Sequence, residues 1–186
     1  MKSMHPEDSI LLQWYDEPAT REKGFTALVA KYQQPLYWHV RRMVINHADA
    51  DDVLQNIFLK VWKGLANFRE ESNLYTWLYR IATNESLSFL AREKRRGVVN
   101  MDEEGVNPAA QAQLKADPHF DEKKLEWKLQ MAIQQLPEKQ RVVFNLRYFD
   151  EMGYREMSEV LATSEGALKA SYHHAVKKLE ESLRNS

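Results

Sequence analysis

Apolar residues recur at intervals of three and four along much of this chain, which is the spacing of a helix that buries one face. The segment from Ala48 to Leu65 shows this most clearly, with Asp52 and Lys60 on the opposite, polar side. Asp49 stands where an N-cap would, because a short acidic side chain can accept a backbone hydrogen bond there. The pattern predicts an amphipathic helix whose apolar face carries Val53, Leu54, Ile57, Phe58, Val61, Trp62 and Leu65.

Two further helices are predicted on either side of this segment. The stretch from Phe25 to Ile45 has the same spacing. Pro35 within it is expected to kink or divide the helix, since proline has no amide hydrogen. After a polar loop over residues 67–73, Leu74 begins a helix that ends in a basic cluster between residues 92 and 96.

The last third of the chain is also predicted to be helical. Its four candidate segments are residues 120–136, 137–149, 154–161 and 164–183. Pro137 opens the second segment, where its fixed φ suits the first helical position. A short helix, a break at Ala162-Thr163 and a longer helix with basic residues form a helix-turn-helix layout. Alternation typical of strands is nearly absent, so the predicted fold class is all-α.

The distribution of charge divides the chain into three parts. The whole sequence has 26 Lys and Arg against 27 Asp and Glu, for a formal net charge of −1. Residues 1–96 have a net charge of +2, residues 97–121 of −4 and residues 122–186 of +1. The middle stretch also contains Gly and Pro and few large apolar residues, as linkers do. We therefore predict two helical domains, 1–96 and 122–186, joined by an acidic flexible linker over 97–121.

Several kinds of chemistry are excluded by what the sequence lacks. There are no cysteines, so disulfides, cysteine zinc sites and thiol nucleophiles are excluded. No glycine-rich phosphate loop, paired-histidine metal motif or nucleophile elbow is present. The longest apolar run has four residues, and the N-terminus lacks the apolar core of a signal peptide. We expect a soluble cytoplasmic protein that is not an enzyme and that uses no metal and no cofactor.

The second helix of the helix-turn-helix is a candidate DNA-binding surface. Lys169, Ser171, His173 and His174 alternate with the apolar positions of the helix. Cations and short hydrogen-bond donors on such a face suit phosphates and base edges in a major groove. The alternative is an ordinary amphipathic hairpin with a solvated face.

A second candidate surface combines aromatic and polar residues around the start of the third predicted helix. Phe68 and Trp77 are interleaved there with Ser72, Arg80 and Asn84. Aromatic rings next to arginine offer stacking surfaces for unpaired bases. The alternative is that the aromatic residues belong to the core, as aromatic stripes at helical spacing often do.

Taken together, these segments resemble the bacterial sigma-70 family, in particular its two-domain extracytoplasmic-function group of RNA polymerase sigma factors. The resemblance covers roughly residues 25–96 and 125–183. Residues 50–62 are similar to the family helix that docks on the β′ clamp helices of core RNA polymerase. That resemblance implies polymerase contacts by Asp52, Gln55 and Asn56, although Asn56 stands where the family has an acid.

The resemblance also implies two promoter contacts. Residues 68–84 are similar to the region that captures a flipped base and melts the −10 element, which implies roles for Phe68, Ser72, Trp77, Arg80 and Asn84. Residues 136–175 are similar to the domain that binds the −35 duplex, which implies contacts by Lys169, Ser171, His173 and His174. Residues 1–96 are accordingly expected to be a region 2-like domain and residues 122–186 a region 4-like domain.

The implied partners are core RNA polymerase, through its β′ clamp helices and β flap, promoter DNA and an anti-sigma factor. No membrane insertion is expected. Two other functions stay open at this point. A stand-alone helix-turn-helix regulator requires dimerisation and palindromic half-sites, and a helical protein-interaction adaptor requires no DNA contact.

Overall fold

The computed structural model describes residues 7–68, 72–97 and 125–184, and of residues 125–127 only the backbone. Within these ranges the chain forms eight α-helices and no strand, which confirms the all-α prediction. The helices are α1 (Asp8–Asp16), α2 (Arg21–Val44), α3 (His47–Leu65), α4 (Leu74–Arg95), α5 (Leu125–Gln134), α6 (Glu138–Tyr148), α7 (Tyr154–Leu161) and α8 (Glu165–Arg184). None of the helices in the described ranges has the length and apolar content needed to cross a membrane.

The predicted acidic linker, residues 97–121, lies outside the described residues apart from Gly97. The division of the chain into domains at this stretch therefore stays a prediction. Below, the N-terminal bundle means α1–α4 and the C-terminal bundle means α5–α8.

Helix α2 is the centre of the N-terminal bundle, since it contacts α1, α3 and α4. Helix α1 approaches it closely at Gly24, where a Cβ atom would lie 2.6 Å from the backbone nitrogen of Tyr15. The Tyr15 hydroxyl donates to the carbonyl of Trp62 at 2.9 Å and so ties α1 to α3. The apolar side chains at the centre of the bundle, all fully buried, are Leu36, Val40, Ile57, Val61, Leu78 and Ala82.

Asn46, rather than Asp49, caps α3. The Asn46 side chain accepts a hydrogen bond from the backbone N–H of Asp49 at 3.1 Å, and the helix begins at His47. The prediction that Asp49 is the cap is therefore wrong by three residues. Ile45 explains the difference, because its buried side chain and its φ of +71° turn the chain sharply just before Asn46.

Pro35 lies inside α2, which continues unbroken from Arg21 to Val44. The sequence predicted that the proline would either kink or divide the helix, and the structure shows that it does not divide it. An interior proline costs about 3 kcal/mol because it removes one hydrogen bond. The buried side chains of Tyr32, Leu36 and Val40 on both sides of Pro35 offset this cost by packing.

The C-terminal bundle contains the predicted helix-turn-helix, formed by α7 and α8. Helix α7 starts after Gly153, whose N–H donates to Glu156 Oε2 at 3.0 Å. It ends at Leu161, and the next residue, Ala162, has a left-handed φ of +49° and makes the turn. The Ser164 hydroxyl then accepts from the N–H of Ala167 at 3.3 Å at the start of α8. The predicted break at Ala162-Thr163 is confirmed.

Two boundaries of the C-terminal bundle differ from the prediction. Pro137 directly precedes α6 with extended backbone angles, so the helix begins at Glu138 and not at the proline. The described part of α5 begins at Leu125, and the predicted start at residue 120 lies outside the described residues. Helices α5, α6 and α8 share a core of Ala132, Ile133, Leu136, Phe144, Ala175 and Leu179.

The two bundles pack directly against each other. Helix α7 lies against α4, and α6 lies against α2. Apolar residues from both bundles form one continuous core. Its members from the C-terminal bundle and the α6–α7 turn are Val142, Val143, Leu146, Met152, Met157, Val160 and Leu168.

Candidate nucleic-acid interface

A cavity of about 620 Å³ opens where the loop before α4 meets α1 and α7. Phe68, Ser72 and Thr76 line it. The buried Thr76 hydroxyl has no hydrogen-bond partner within the part of the chain that the structure describes. That oxygen is enclosed by protein, so Ser72 rather than Thr76 gives this wall of the cavity a hydroxyl group. The cavity therefore suits a ligand with a flat face for Phe68 and a hydrogen-bonding edge for Ser72.

Trp77 holds Phe68 in place next to this cavity. Their ring centroids lie 5.1 Å apart, with the ring planes tilted by 50°. On the α3 side, a Cβ atom at position 64 would lie 3.2 Å from the Trp77 ring, so Gly64 makes room for the indole. Trp77 is half-buried and is absent from the residues that line the cavity. Its position is that of a supporting residue.

Arg80 and Asn84 lie on one exposed face of α4. They are four residues apart, so their side chains share that face, while Tyr79 and Thr83 next to them are buried. The face continues towards the C-terminal end of α4 through Ser88 and the basic residues near position 95. The structure thus brings Arg80 and Asn84 together on one side of the helix that starts at the cavity.

A basic groove of about 570 Å³ lies between α3 and the second half of α4. Lys63, Arg92 and Arg95 line it, and Lys60 is paired there with Glu85. The predicted basic cluster at the end of α4 therefore does not stand alone, because α3 adds cations from the facing side. Such a groove attracts phosphate groups.

The three residues of α3 predicted to bind a protein partner lie on the solvent side of the helix. Asp52, Gln55 and Asn56 are all exposed. Leu59 follows on the same side with 58% of its surface exposed. An apolar side chain next to polar groups on one helix face is typical of a protein–protein contact.

On α8 the structure groups three of the four predicted DNA-binding residues. Lys169 and His173 are exposed and lie four residues apart, and His174 is exposed next to them. Ser171 differs, because it is half-buried and lines a cavity of about 430 Å³ together with Leu87 of α4. In the packed arrangement Ser171 faces the N-terminal bundle.

Two residues near these surfaces were not among the predicted site residues. Asn73 lines the cavity and caps α4, because its side chain accepts from the N–H of Thr76 at 2.7 Å. An asparagine directly before an apolar-periodic run is a known helix-start signal, so sequence reasoning had the means to find it. Asp150, in the turn between α6 and α7, contacts α2 and α4. No local pattern marks that residue.

The fold and these surfaces define a helix-turn-helix protein with a second helical bundle that carries a cavity and a cationic face. Two family models match it. The model described as sigma-70 region 2 matches residues 28–96, and the model described as sigma-70, region 4 matches residues 126–179. The first match includes the cavity loop and α4, and the second includes the helix-turn-helix.

Proteins of similar sequence agree with both family matches. The RNA polymerase sigma-H factor of Pseudomonas aeruginosa is 30% identical over 176 residues, which cover 88% of each chain. The extracytoplasmic-function sigma factor SigW of Bacillus subtilis is 28% identical, over 88% of this chain and 91% of that one. The extracytoplasmic-function sigma-E factor of Escherichia coli K12 is 29% identical over 88% of each chain.

This chain belongs to the sigma-70 family of RNA polymerase sigma factors, in its extracytoplasmic-function group. The resemblance drawn from the sequence is thereby confirmed. Its function is to direct RNA polymerase to promoters.

Two solved structures have the same fold. One is CnrH in complex with the cytosolic domain of CnrY, with a TM-score of 0.68 and 23% identity over 96% of this chain and 98% of that chain. The other is the sigma factor RpoE of Bartonella quintana in complex with the anti-sigma factor NepR. It has a TM-score of 0.65 and 18% identity over 87% of this chain and 98% of that chain.

Proposed function

We propose that this sigma factor melts the −10 element by holding one flipped base of the non-template strand against the N-terminal side of the cavity, at Phe68 and Ser72. The observation that carries the proposal is the cavity itself, in which the ring of Phe68, positioned by Trp77, lies beside the Ser72 side chain. The Ser72 hydroxyl would bond the edge of that base. Unpairing a base costs a few kcal/mol, and stacking on an aromatic ring returns about 1–3 kcal/mol.

The rest of the single strand would follow the exposed face of α4. Arg80 is the first cation after the cavity and suits a phosphate, while Asn84 one turn later suits a base or sugar. The exposed Arg92 and Arg95, further along α4, continue this track towards upstream DNA. Trp77 supports the strand indirectly by positioning Phe68.

The N-terminal bundle would also dock on core RNA polymerase. In this proposal Asp52, Gln55 and Asn56 contact the β′ clamp helices, and the exposed Leu59 lies within the same contact. The polar groups then orient the contact while the leucine supplies apolar burial.

The C-terminal bundle would bind the −35 duplex through α8. Lys169, His173 and His174 are exposed together and suit phosphates and base edges in a major groove. Ser171 lines the cavity towards α4, so it reaches DNA only when the two bundles separate. The β flap of the polymerase would hold this bundle on the upstream DNA.

The remaining parts of the proposal concern the cellular setting. RNA synthesis belongs to the core enzyme, so the sigma factor itself is not an enzyme. It acts in the cytoplasm, where the polymerase is. Because both structural neighbours above were solved as complexes, with the cytosolic domain of CnrY and with the anti-sigma factor NepR, an anti-sigma factor is proposed as a further partner.

Run-off transcription tests this function. Purified bacterial core polymerase is combined with a library of promoter DNA, with and without the protein. We expect transcripts that depend on the protein, from templates that share paired −35 and −10 elements. Asn84→Ala should reduce them, whereas Asn67→Ala, an exposed asparagine outside the cavity, should not.

Two outcomes would overturn the proposal. Folded protein that binds a palindrome and ignores core polymerase would be a stand-alone regulator. Folded protein that binds core polymerase without stimulating any template would be an adaptor.

A further inference from the structure

Helix α1 forms part of the wall of the cavity beside Phe68. Asp8, Ser9 and Leu12 lie on this helix and line the cavity together with Phe68 and Ser72. All five residues belong to the N-terminal bundle, so this part of the wall does not depend on the C-terminal bundle. Among the described residues of the N-terminal bundle that line the cavity, Asp8 alone carries a charge.

The carboxylate of Asp8 is fixed in place by α2. Its Oδ1 accepts from Lys31 Nζ at 2.7 Å. The Tyr32 hydroxyl donates to the same carboxylate and lies 2.8 Å from Oδ1 and 2.7 Å from Oδ2. Burial, reinforced by the bond to Asp8, raises the pKa of Tyr32 well above its usual range, so this hydroxyl keeps its proton and stays a donor. Since Tyr32 is itself part of the core, the core sets the position of the Asp8 carboxylate.

Lys31 and Tyr32 leave part of the Asp8 carboxylate able to accept a further hydrogen bond. An ionised carboxylate has about four acceptor sites, and the ammonium and the hydroxyl each donate one hydrogen to it. The Asp8 side chain is 32% exposed, so a ligand in the cavity can reach it. The positive charge of Lys31 offsets that of the carboxylate, which weakens the repulsion between this wall and the phosphates of a DNA strand.

A carboxylate distinguishes two kinds of base. It only accepts hydrogen bonds, so it bonds the exocyclic amino group of cytosine or adenine. Guanine and thymine have a carbonyl oxygen at the corresponding position, which a carboxylate repels. A hydroxyl both donates and accepts, so Ser72 fits either kind of base. Asp8 is therefore the group in this wall that can discriminate between them.

We propose that α1 forms part of the site for the flipped −10 base and that Asp8 selects an amino base, cytosine or adenine, over a keto base, guanine or thymine. The face of the base would lie against Phe68, and its Watson–Crick edge, which proteins read in a flipped base, would meet Asp8. Leu12 adds apolar surface to the same wall. This inference rests on the proposed function, since it names the class of base that the same cavity takes.

Run-off transcription on synthetic templates measures this selection. The templates are the promoters found in the library, with the −10 element opened by mismatches so that the non-template base is read without the cost of melting. Each −10 position of the non-template strand carries in turn cytosine, adenine, guanine or thymine. At one position we expect cytosine or adenine to give about tenfold more transcript than guanine or thymine, the effect of one hydrogen bond to a charged group.

Base analogues isolate the amino group. Purine is adenine without its amino group, and 2-pyrimidinone is cytosine without its amino group. Either analogue at the selected position should lower transcription by the wild type about tenfold, because the hydrogen bond to Asp8 is lost. Equal transcription from the analogue and its parent base would overturn the inference. The comparison uses the wild-type protein alone, so it does not depend on the folding of a variant.

Asp8→Asn tests the residue itself. The asparagine oxygen can still accept from Tyr32, while its amide group both donates and accepts, so the variant should lose most of the preference for amino bases. Asp16→Asn is the matched control, since Asp16 is exposed at the other end of α1 and outside the cavity. It should keep the wild-type preference. A preference that persists in Asp8→Asn, or an equal loss of transcription from all templates, would contradict selection by Asp8.

The two proposals fail separately. Wild type that transcribes these promoters without preferring an amino base at any −10 position rejects the role of Asp8 alone. Wild type that binds core polymerase and yields no transcript from any template rejects the proposed function.

Discussion

The cavity beside α4 and the exposed face of α8 both bind DNA in the proposed function, yet their side chains are held in different ways. The cavity is assembled from the loop at Phe68, the start of α4, α1 and α7. Lys169, His173 and His174 project from a single helix and need no other element to place them. A pocket for an unstacked base requires tertiary structure, whereas a helix face for a major groove requires only the helix.

The largest expected effect comes from truncating a buried side chain of α4, the helix whose first turn lines the cavity. Leu78→Ala should lower the free energy of unfolding by about 2–5 kcal/mol, because this side chain of α4 is fully buried in the core of the N-terminal bundle. Urea unfolding measures the change. Leu59→Ala, which removes an exposed leucine from α3, should change stability by less than about 0.5 kcal/mol. Equal losses in the two variants would contradict the described packing.

The second prediction separates the two surfaces by function. Arg80→Ala should reduce run-off transcription about tenfold, since a hydrogen bond to a charged group is worth about 1.5–3 kcal/mol. Binding of a −35 duplex by the same variant should stay at the wild-type level. Arg184→Ala is the matched control. It removes an arginine at the far end of α8 from Lys169 and should change neither transcription nor duplex binding. A loss of duplex binding in Arg80→Ala would show that the surfaces are not independent.

The third prediction compares how the two DNA-binding helices begin. Asn73→Ala should cost about 1 kcal/mol of unfolding free energy because it removes the cap of α4, whose bond is 2.7 Å long. Ser164→Ala should cost less, since the corresponding bond at α8 is 3.3 Å long and exposed. Thermal unfolding of both variants ranks them. The reverse ranking would mean that α8 depends more on its cap than α4.

The fourth prediction concerns salt and is the smallest effect. Lys169→Ala should lower the slope of log affinity against log salt by about 1 for a −35 duplex, the value for one lost phosphate contact. Ser171→Ala should leave the slope unchanged, because serine carries no charge. Titration of the duplex at several salt concentrations measures both slopes. An unchanged slope for Lys169→Ala would remove this lysine from the interface.

Sequence reasoning predicted the helix-turn-helix and the polar side of α3 because those signals are local. The exposed positions of Asp52 and Asn56 on α3 follow from the helical period, whereas Gln55 was named from the family resemblance, and the shared face of Arg80 and Asn84 was read from the structure. The missed cap at Asn46 depends on a turn at Ile45 with positive φ, which apolar spacing does not reveal.

The sequence by itself determined that the chain is helical, where the helix-turn-helix lies and which residues face solvent on α3. Those features depend on neighbours within one or two helical turns. Only the tertiary structure decided that Asp150 hydrogen-bonds to side chains of α2 and α4. It also decided that Ser171 and Leu87 line one cavity and that α7 forms a wall of the other, beside Phe68. His39 and Asp150 are 111 residues apart, and no local period or cap connects such distant positions before the chain folds.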